Sequence, residues 1–193
     1  MKIRRIIYRI LFLCLLVFGI FITSCMKDDF RPITEFNTNS RGVFIVCEGN
    51  FMYGNASLSY YSPLEKKVEN TVFIRANGIP LGDVAQSLTI YDKTAWIIVN
   101  NSGKVYAIDI DNFKIKGKIT DLVSPRYMRF INPQKAYITD LYAKNIYVVN
   151  PQDYSLTKTI NIDDGSGKYY NHSSEQIVVF ENKLFINTWS YDN

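Results

Sequence analysis

From residue 42 onward, short apolar runs alternate with turn-forming polar residues. The runs are rich in Val, Ile, Tyr and Phe, which suit the half-buried surface of a pleated strand. Turn chemistry separates them, as at Asn101-Ser102-Gly103 and Asn150-Pro151. No window after residue 30 sustains a helical period. The pattern therefore predicts an all-β protein. The principal predicted strands cover 42–47, 57–61, 87–91, 95–100, 105–110, 127–131, 136–140, 146–150, 176–180 and 184–188.

One apolar phrase recurs along these strands. The run at 95–99 returns at 136–140 and at 184–188, and 42–46 is a further copy. A strand precedes each later copy, and two more strands follow the copies at 95–99 and 136–140. Four strands every 40 to 50 residues is the pattern of a β-propeller blade. We expect the strand before each copy to be the innermost of its blade. A two-sheet sandwich would not repeat these phrases in register.

The repeats predict about three and a half blades. Two blades are complete, over 83–119 and 124–160, and the first has three strands over 43–73. The last blade stops after its second strand. Because propellers close with about four to eight blades, we expect residues 42–193 to be the N-terminal part of a longer propeller, seven-bladed when complete. Closure by self-association of two copies is the alternative.

Residues 1–24 have the features of a secretion signal. Four basic residues and no acid accompany an apolar run over 10–22, which is shorter than the roughly 20 residues of a membrane span. Ile22-Thr23-Ser24-Cys25 then resembles the bacterial lipobox, in which the cysteine becomes the lipidated first residue. The resemblance predicts a lipid anchor on Cys25. The alternative is an uncleaved anchor in which Cys25 has no such role.

The residues after Cys25 indicate where the protein would be displayed. Met26-Lys27-Asp28-Asp29 resembles the lipoprotein export signal of Bacteroidetes, which implies the outer face of the outer membrane. Its alternative is a solvated linker. The polar stretch over 28–41 has the composition of a tether. We therefore predict a signal peptide at 1–24, a lipidated cysteine and tether at 25–41, and a propeller at 42–193.

Charge and cysteine content narrow the partners. The formal net charge is +4, but the first 24 residues hold four basic groups, so the rest is neutral by count. The charge therefore gives no support for a nucleic-acid partner. If Cys14 leaves with the signal and Cys25 is acylated, Cys47 remains alone, and no intramolecular disulfide or Cys-x-x-Cys pair is possible. We expect Cys47 to be a small buried core residue.

The sequence carries no catalytic signature. It has no G-x-S-x-G, no H-E-x-x-H and no Walker loop. The single histidine, His172, lies in a polar stretch, and Asp109-x-Asp111-Asn112 lacks the Gly and Glu of an EF-hand loop. We therefore expect neither an enzyme nor a resident metal or cofactor.

Ligand binding is the more plausible activity. Residues at the start of the predicted innermost strands occupy equivalent positions but differ in chemistry, which is unusual for core positions. Loops after the second strands add amide and aromatic groups, and together such groups suit a large amphipathic ligand. The alternative is that the tyrosines cover blade edges and the asparagines form turns. The candidate ligand-binding residues are Gln86, Asn100, Asn101, Arg126, Tyr127, Tyr142, Glu175, Gln176, Trp189 and Tyr191.

The amino-acid sequences of the repeats resemble those of a known family. Glu48-Gly49-Asn50-Phe51, the run from Leu81 to Ser87 and Asn100-Asn101-Ser102-Gly103-Lys104 are similar to the YncE-like surface propeller lipoproteins of Bacteroides and its neighbours, often labelled surface-layer or DUF5074 proteins. One departure is Cys47, where Asn is expected. Members are usually about twice this length.

The resemblance has functional implications. A BtuG-type branch captures cobalamin at the cell surface and passes it to a TonB-dependent outer-membrane transporter. We therefore expect a surface-exposed outer-membrane lipoprotein that binds cobalamin or a related corrinoid for such a transporter. A surface-layer or adhesion scaffold that binds protein or glycan is the alternative. A propeller enzyme of quinoprotein or lactonase type has precedent only by fold analogy.

Overall fold

The computed structural model describes residues 42–163, 173–181 and 183–189, together with Arg4. The predicted signal peptide, Cys25 and the tether therefore lie outside the described residues, apart from Arg4. The described residues form thirteen β-strands, one short α-helix and one 3-10 turn. Within this part of the chain, no helix has the length and apolar character needed to cross a bilayer.

The strands form four antiparallel sheets, and in each sheet neighbours in space are neighbours in sequence. The predicted strands are all present, with ends shifted by at most three residues. The first sheet contains β1 (Val43–Cys47), β2 (Ser57–Ser62) and β3 (Lys67–Glu69). The second contains β4 (Ala85–Tyr91), β5 (Thr94–Val99), β6 (Lys104–Asp109) and β7 (Ile115–Ile119). The third contains β8 (Pro125–Asn132), β9 (Lys135–Asp140), β10 (Asn145–Asn150) and β11 (Ser155–Asn161). The fourth contains β12 (Ser173–Phe180) and β13 (Lys183–Trp189).

The first strands of consecutive sheets lie side by side. Ser87 Oγ on β4 donates a hydrogen bond to the Arg126 carbonyl on β8 at 2.7 Å. Two residues further on, Thr89 Oγ1 reaches the Met128 carbonyl at 3.2 Å. β8 packs in turn against β12, whereas every residue of the fourth strand β11 is exposed. The sheets are therefore consecutive blades of an open β-propeller, with the predicted strands innermost.

Two apolar clusters hold the blades together. One lies between the first and second sheets and the other between the second and third. β5 contributes to both, because Ala95, Ile97 and Val99 face the first cluster while Trp96 and Ile98 face the second. This explains why all six residues of β5 are buried. Its continuous apolar sequence is the expected pattern for a strand covered on both faces.

Aromatic rings fill the centre of the first cluster. Phe44 on β1 meets Tyr60 on β2 edge to face, with ring centroids 5.1 Å apart. Phe113, in the turn between β6 and β7, lies 5.9 Å from Phe44 and 5.5 Å from Tyr60. Phe113 is fully buried. These distances are typical of favourable aromatic pairs, so Phe113 couples the second blade to the first.

A short helix corrects the prediction for the first blade. The sequence predicted three strands over 43–73 and no helix, but the third strand ends at Glu69 and α1 spans Val72–Asn77. Six residues are too few to show a 3.6-residue period. Val72, Phe73 and Ala76 are buried in the first cluster, and Gly78 ends the helix in the left-handed conformation.

A salt bridge ties this helix to β3. Arg75 Nη1 lies 2.7 Å from Glu69 Oε2, and both side chains are largely buried. Hydrogen bonds from Lys67 and Arg75 hold the pKa of Glu69 below its ordinary value. Asn77, at the other end of the helix, donates to the Phe113 carbonyl and accepts from the Ile115 backbone N–H, both at 2.9 Å.

The expectation for Cys47 was wrong. It is exposed at the end of β1. Along β1 the side chains alternate, so that Phe44 and Val46 pack on the first cluster while Val43, Ile45 and Cys47 point away from it. Apolar sequence alone could not distinguish this one-sided strand from the two-sided β5.

Phe113→Ala should test the coupling between the first two blades. It removes a fully buried ring from the first cluster, and we expect the free energy of unfolding to fall by about 3–5 kcal/mol. Phe180→Ala is the matched control, because Phe180 is 66% exposed, and it should change stability by no more than about 0.5 kcal/mol. Urea unfolding measures both, and equal losses would contradict the assigned packing.

Candidate functional site

A β-bulge occurs at the same place in three blades. Between β4 and β5 the pairing shifts from Ala85–Val99 to Ser87–Ile98, so Gln86 is the extra residue. The β8–β9 pairing shifts between Pro125 and Met128, and the β12–β13 pairing shifts between Ser174 and Ile177. Each shift places one more residue on the first strand than on its partner. Bulges of this kind redirect side chains and are common beside binding sites.

The bulges bring three predicted residues into contact. Arg126 Nε donates a hydrogen bond to Glu175 Oε2 at 2.9 Å, and Arg126 Nη1 donates to Gln86 Oε1 at 2.5 Å. Each residue comes from a different blade, although Gln86 and Glu175 are 89 positions apart in the sequence. We call Gln86, Arg126 and Glu175 the polar centre. The structure thus brings together three of the residues that were selected from equivalent strand starts, and their role in ligand binding stays a prediction.

The polar centre is sheltered but reachable. The side chains of Arg126 and Glu175 are 20% and 15% exposed. A guanidinium and a carboxylate in this setting interact more strongly than a surface pair, because less water screens them. Backbone contacts fix the positions of both. Ser87 Oγ donates to the Arg126 carbonyl, and Thr139 Oγ1 donates to the Glu175 carbonyl at 2.6 Å.

Two of the predicted residues line a cavity next to the polar centre. Tyr127 and Gln176 follow Arg126 and Glu175 directly in the sequence, and both border a cavity of about 620 Å³. Its remaining walls come from β12 and β13 and combine apolar groups with the amide of Asn187. This volume lies within the usual range for small-molecule sites. The cavity-lining residues are Tyr127, Gln176, Ile177, Val178, Phe185, Ile186 and Asn187.

The side chain of Asn100 is buried and bonds to the neighbouring blade. It is 8% exposed at the end of β5. Its Nδ2 donates to Ser124 Oγ at 2.9 Å and to the Pro125 carbonyl at 3.0 Å. These bonds join the second blade to the start of the third, so we assign Asn100 to the interface between blades.

Asp140 makes the corresponding connection one blade later. Its buried carboxylate accepts backbone N–H bonds from Ser124, Tyr142 and Ala143 at 2.7 to 2.9 Å. The Asp140 backbone N–H donates to Ser174 Oγ on β12 at 2.9 Å. Burial, with the nearby Asp140 charge as the second cause, raises the pKa of Tyr147. Asp140 was not among the predicted site residues, although the sequence shows it as a charged residue at the end of an apolar strand.

The connections after β1, β5 and β9 emerge at the same end of the sheets as the polar centre, because consecutive strands are antiparallel. Tyr142 lies there and is 67% exposed. Asn101 is also exposed, and its Nδ2 donates to Asp83 Oδ2 at 2.5 Å. The backbone of Trp189 ends β13 at this end, and Tyr191 lies outside the described residues.

The loop after β1 was missed as a candidate. Phe51, Met52 and Tyr53 are 64%, 77% and 76% exposed, an unusual concentration of large apolar groups. The loop backbone is nevertheless held in place. Met52 N–H donates to Asp83 Oδ2 at 2.8 Å, and Asn50 N–H donates to Asn55 Oδ1 at 2.8 Å. We call Phe51, Met52 and Tyr53 the apolar loop.

Across residues 42–163, 173–181 and 183–189, no group of three or more His, Cys, Asp or Glu side chains is placed to hold a metal ion.

The fold and these contacts define an open β-propeller with a polar centre at its loop end. The model of DUF5074, a domain of unknown function, matches residues 41–191. The chain therefore belongs to the DUF5074 family. A search of curated protein sequences found no match.

Solved structures share the fold at low sequence identity. Dihydro-heme d1 dehydrogenase NirN, in complex with DHE, is 14% identical with a TM-score of 0.58, over 84% of this chain and 32% of that chain. Kuenenia stuttgartiensis hydrazine synthase is 13% identical with a TM-score of 0.52, over 88% of this chain and 49% of that chain. The chain thus spans about a third and about half of these two chains. At these identities the likeness shows the fold alone.

The two neighbouring asparagines give a matched test of the blade interface. Asn100→Ala removes a buried donor from Ser124 and Pro125, and we expect a loss of about 1–3 kcal/mol in the free energy of unfolding. Asn101→Ala removes an exposed side chain and should cost about 0.5 kcal/mol or less. Thermal and urea unfolding measure the difference. Equal effects would argue against the interface role of Asn100.

Proposed function

We propose that this chain is the ligand-binding part of a cell-surface lipoprotein that captures a nutrient for a TonB-dependent outer-membrane transporter. The specific ligand in this proposal is cobalamin or a related corrinoid. Binding rather than catalysis is the activity. The proposal includes a lipid anchor on Cys25 in the outer membrane and places the captured ligand at the loop end of the propeller.

The polar centre is the observation that carries this proposal. Three blades each contribute one side chain of different chemistry, and the ion pair between Arg126 and Glu175 is 2.9 Å long. Blades that only packed together could fill these positions with similar apolar residues. The adjacent cavity adds two aromatic rings, two amides and aliphatic surface. A few placed polar groups beside a larger apolar wall are typical of small-molecule sites.

The leader supports the proposed location. Its apolar run, the lipobox-like Ile22-Thr23-Ser24-Cys25 and the following Lys27-Asp28-Asp29 have the order expected of a surface lipoprotein. The resemblance of the leader, the fold and Glu48-Gly49-Asn50 to BtuG-type proteins supports the ligand class.

Calorimetric titration with cyanocobalamin tests the proposal. We expect binding to the purified protein, and Arg126→Gln should weaken it at least about tenfold, which is a loss of ~1.4 kcal/mol. Arg129→Gln is the matched control, because Arg129 lies on the same strand but is exposed outside the polar centre. It should bind as the unmodified protein does. Absence of heat at micromolar cyanocobalamin would exclude the cobalamin assignment.

The apolar loop favours a second candidate function, a surface-layer or adhesion scaffold. Three adjacent exposed apolar groups on an anchored backbone can contact a large partner at a low cost in conformational entropy. All three side chains of the apolar loop are more than half exposed. Such a surface fits a protein or glycan better than a small molecule.

Replacement of the loop separates the two candidates. Under the scaffold function, Phe51→Ser with Tyr53→Ser should abolish capture of a surface protein or glycan in pull-downs, while cyanocobalamin binding is unchanged. Leu64→Ser, which removes an equally exposed side chain from the β2–β3 turn, is the control. Recovery of a TonB-dependent transporter, or capture that survives the loop change, would count against the scaffold.

A further inference from the structure

The polar centre has a charge balance that restricts what it can bind. Arg126 brings one positive charge and Glu175 one negative charge, and Gln86 is neutral. We infer that the polar centre recognises an uncharged carboxamide group and discriminates against anions of the same shape. This inference rests on the proposed function, because it assigns the ligand group held by the same site.

The existing contacts leave hydrogen-bonding capacity of both kinds. Arg126 uses Nε and Nη1 for Glu175 and Gln86. Within the part of the chain that the structure describes, Arg126 Nη2 donates no hydrogen bond and Glu175 Oε1 accepts none. Gln86 Nε2 adds a further donor. The centre therefore offers guanidinium and amide N–H donors beside a carboxylate acceptor.

A carboxamide matches this set. Its carbonyl oxygen accepts from Arg126 or Gln86, and its NH₂ donates to Glu175, with no charge brought into a sheltered site. A carboxylate of the same size offers only acceptors and would face Glu175 at close range. An apolar group would leave the polar atoms of the centre without partners, at a further cost. The donor and acceptor pattern thus favours the amide.

The bulges connect this small centre to a larger binding surface. Tyr127 and Gln176 are sequence neighbours of Arg126 and Glu175, and both line the cavity of about 620 Å³. Gln86, Arg126 and Glu175 do not themselves line this cavity, so the centre and the cavity adjoin through these sequence neighbours.

Acetamide and acetate are a matched pair of probes for the centre. They differ in charge but hardly in size, and the side-chain N–H signals of Arg126 in the NMR spectrum of the whole purified protein report on contact with either. We expect acetamide to bind about tenfold more tightly than acetate. Glu175→Gln leaves Arg126 as an unbalanced cation while keeping an acceptor oxygen for it, so the preference should reverse by a similar factor.

Controls separate the site from general charge effects. Glu65→Gln removes one exposed negative charge elsewhere and should keep the original preference. Circular dichroism and the unfolding midpoint show whether each variant is folded. The inference is overturned if acetate binds the unmodified protein as well as acetamide, if Glu175→Gln changes nothing, or if neither probe moves the Arg126 signals. A stronger response to methyl glucoside would replace the amide assignment with a sugar hydroxyl pair.

Titration with cyanocobalamin and a hydrolysed derivative distinguishes the two proposals. Cyanocobalamin should bind more tightly than its derivative in which one peripheral carboxamide is hydrolysed to a carboxylate, and Glu175→Gln should reduce that difference. If cyanocobalamin gives no heat while the acetamide preference and its reversal hold, the corrinoid assignment fails and the carboxamide inference stands. If cyanocobalamin binds but the small probes show no preference, the inference fails and the proposed function stands.

Discussion

The sheets of this chain carry apolar residues on both faces, and neighbouring sheets cover most of them. This constraint explains the strand sequences more fully than strand propensity does. β5 lies between two other blades, and its residues supply the first and second apolar clusters alternately. The first sheet packs against one described sheet, and the residues of β1 that point away from it, Val43 and Ile45, are exposed. The same apolar phrase therefore has different environments in different blades.

The architecture could be predicted because the same order of strands recurs from blade to blade. Ala95 and Ala136 lie near the starts of β5 and β9, and both are fully buried. The two strand sequences can therefore be aligned by inspection. The helix α1 could not be predicted, because its six residues depend on the first cluster and on the Arg75–Glu69 pair for their stability. Cys47 was misjudged because burial depends on the neighbour across the blade, which sequence does not show.

The site was partly predictable for a related reason. Equivalent positions with unequal chemistry indicated Gln86, Arg126 and Glu175, and these residues meet in space. The bulges that turn them inward have no sequence signature. The same argument selected Asn100 as a ligand contact, but its side-chain amide donates hydrogen bonds to Ser124 and to the Pro125 carbonyl. The apolar loop was missed because single exposed aromatics are common, and only their joint exposure is informative.

The separation of packing from recognition is what the bulges achieve. In each bulge the backbone gains one residue that makes no ladder pair, so its side chain is free of the alternation that fixes the apolar faces. Gln86, Arg126 and Glu175 can therefore differ without disturbing the clusters on either side. The interfaces between blades fix where these side chains lie, and the side chains determine which ligand groups the proposed site could hold. The fold and the DUF5074 family therefore do not identify a ligand, which must be argued from the charge and hydrogen-bonding groups of this chain.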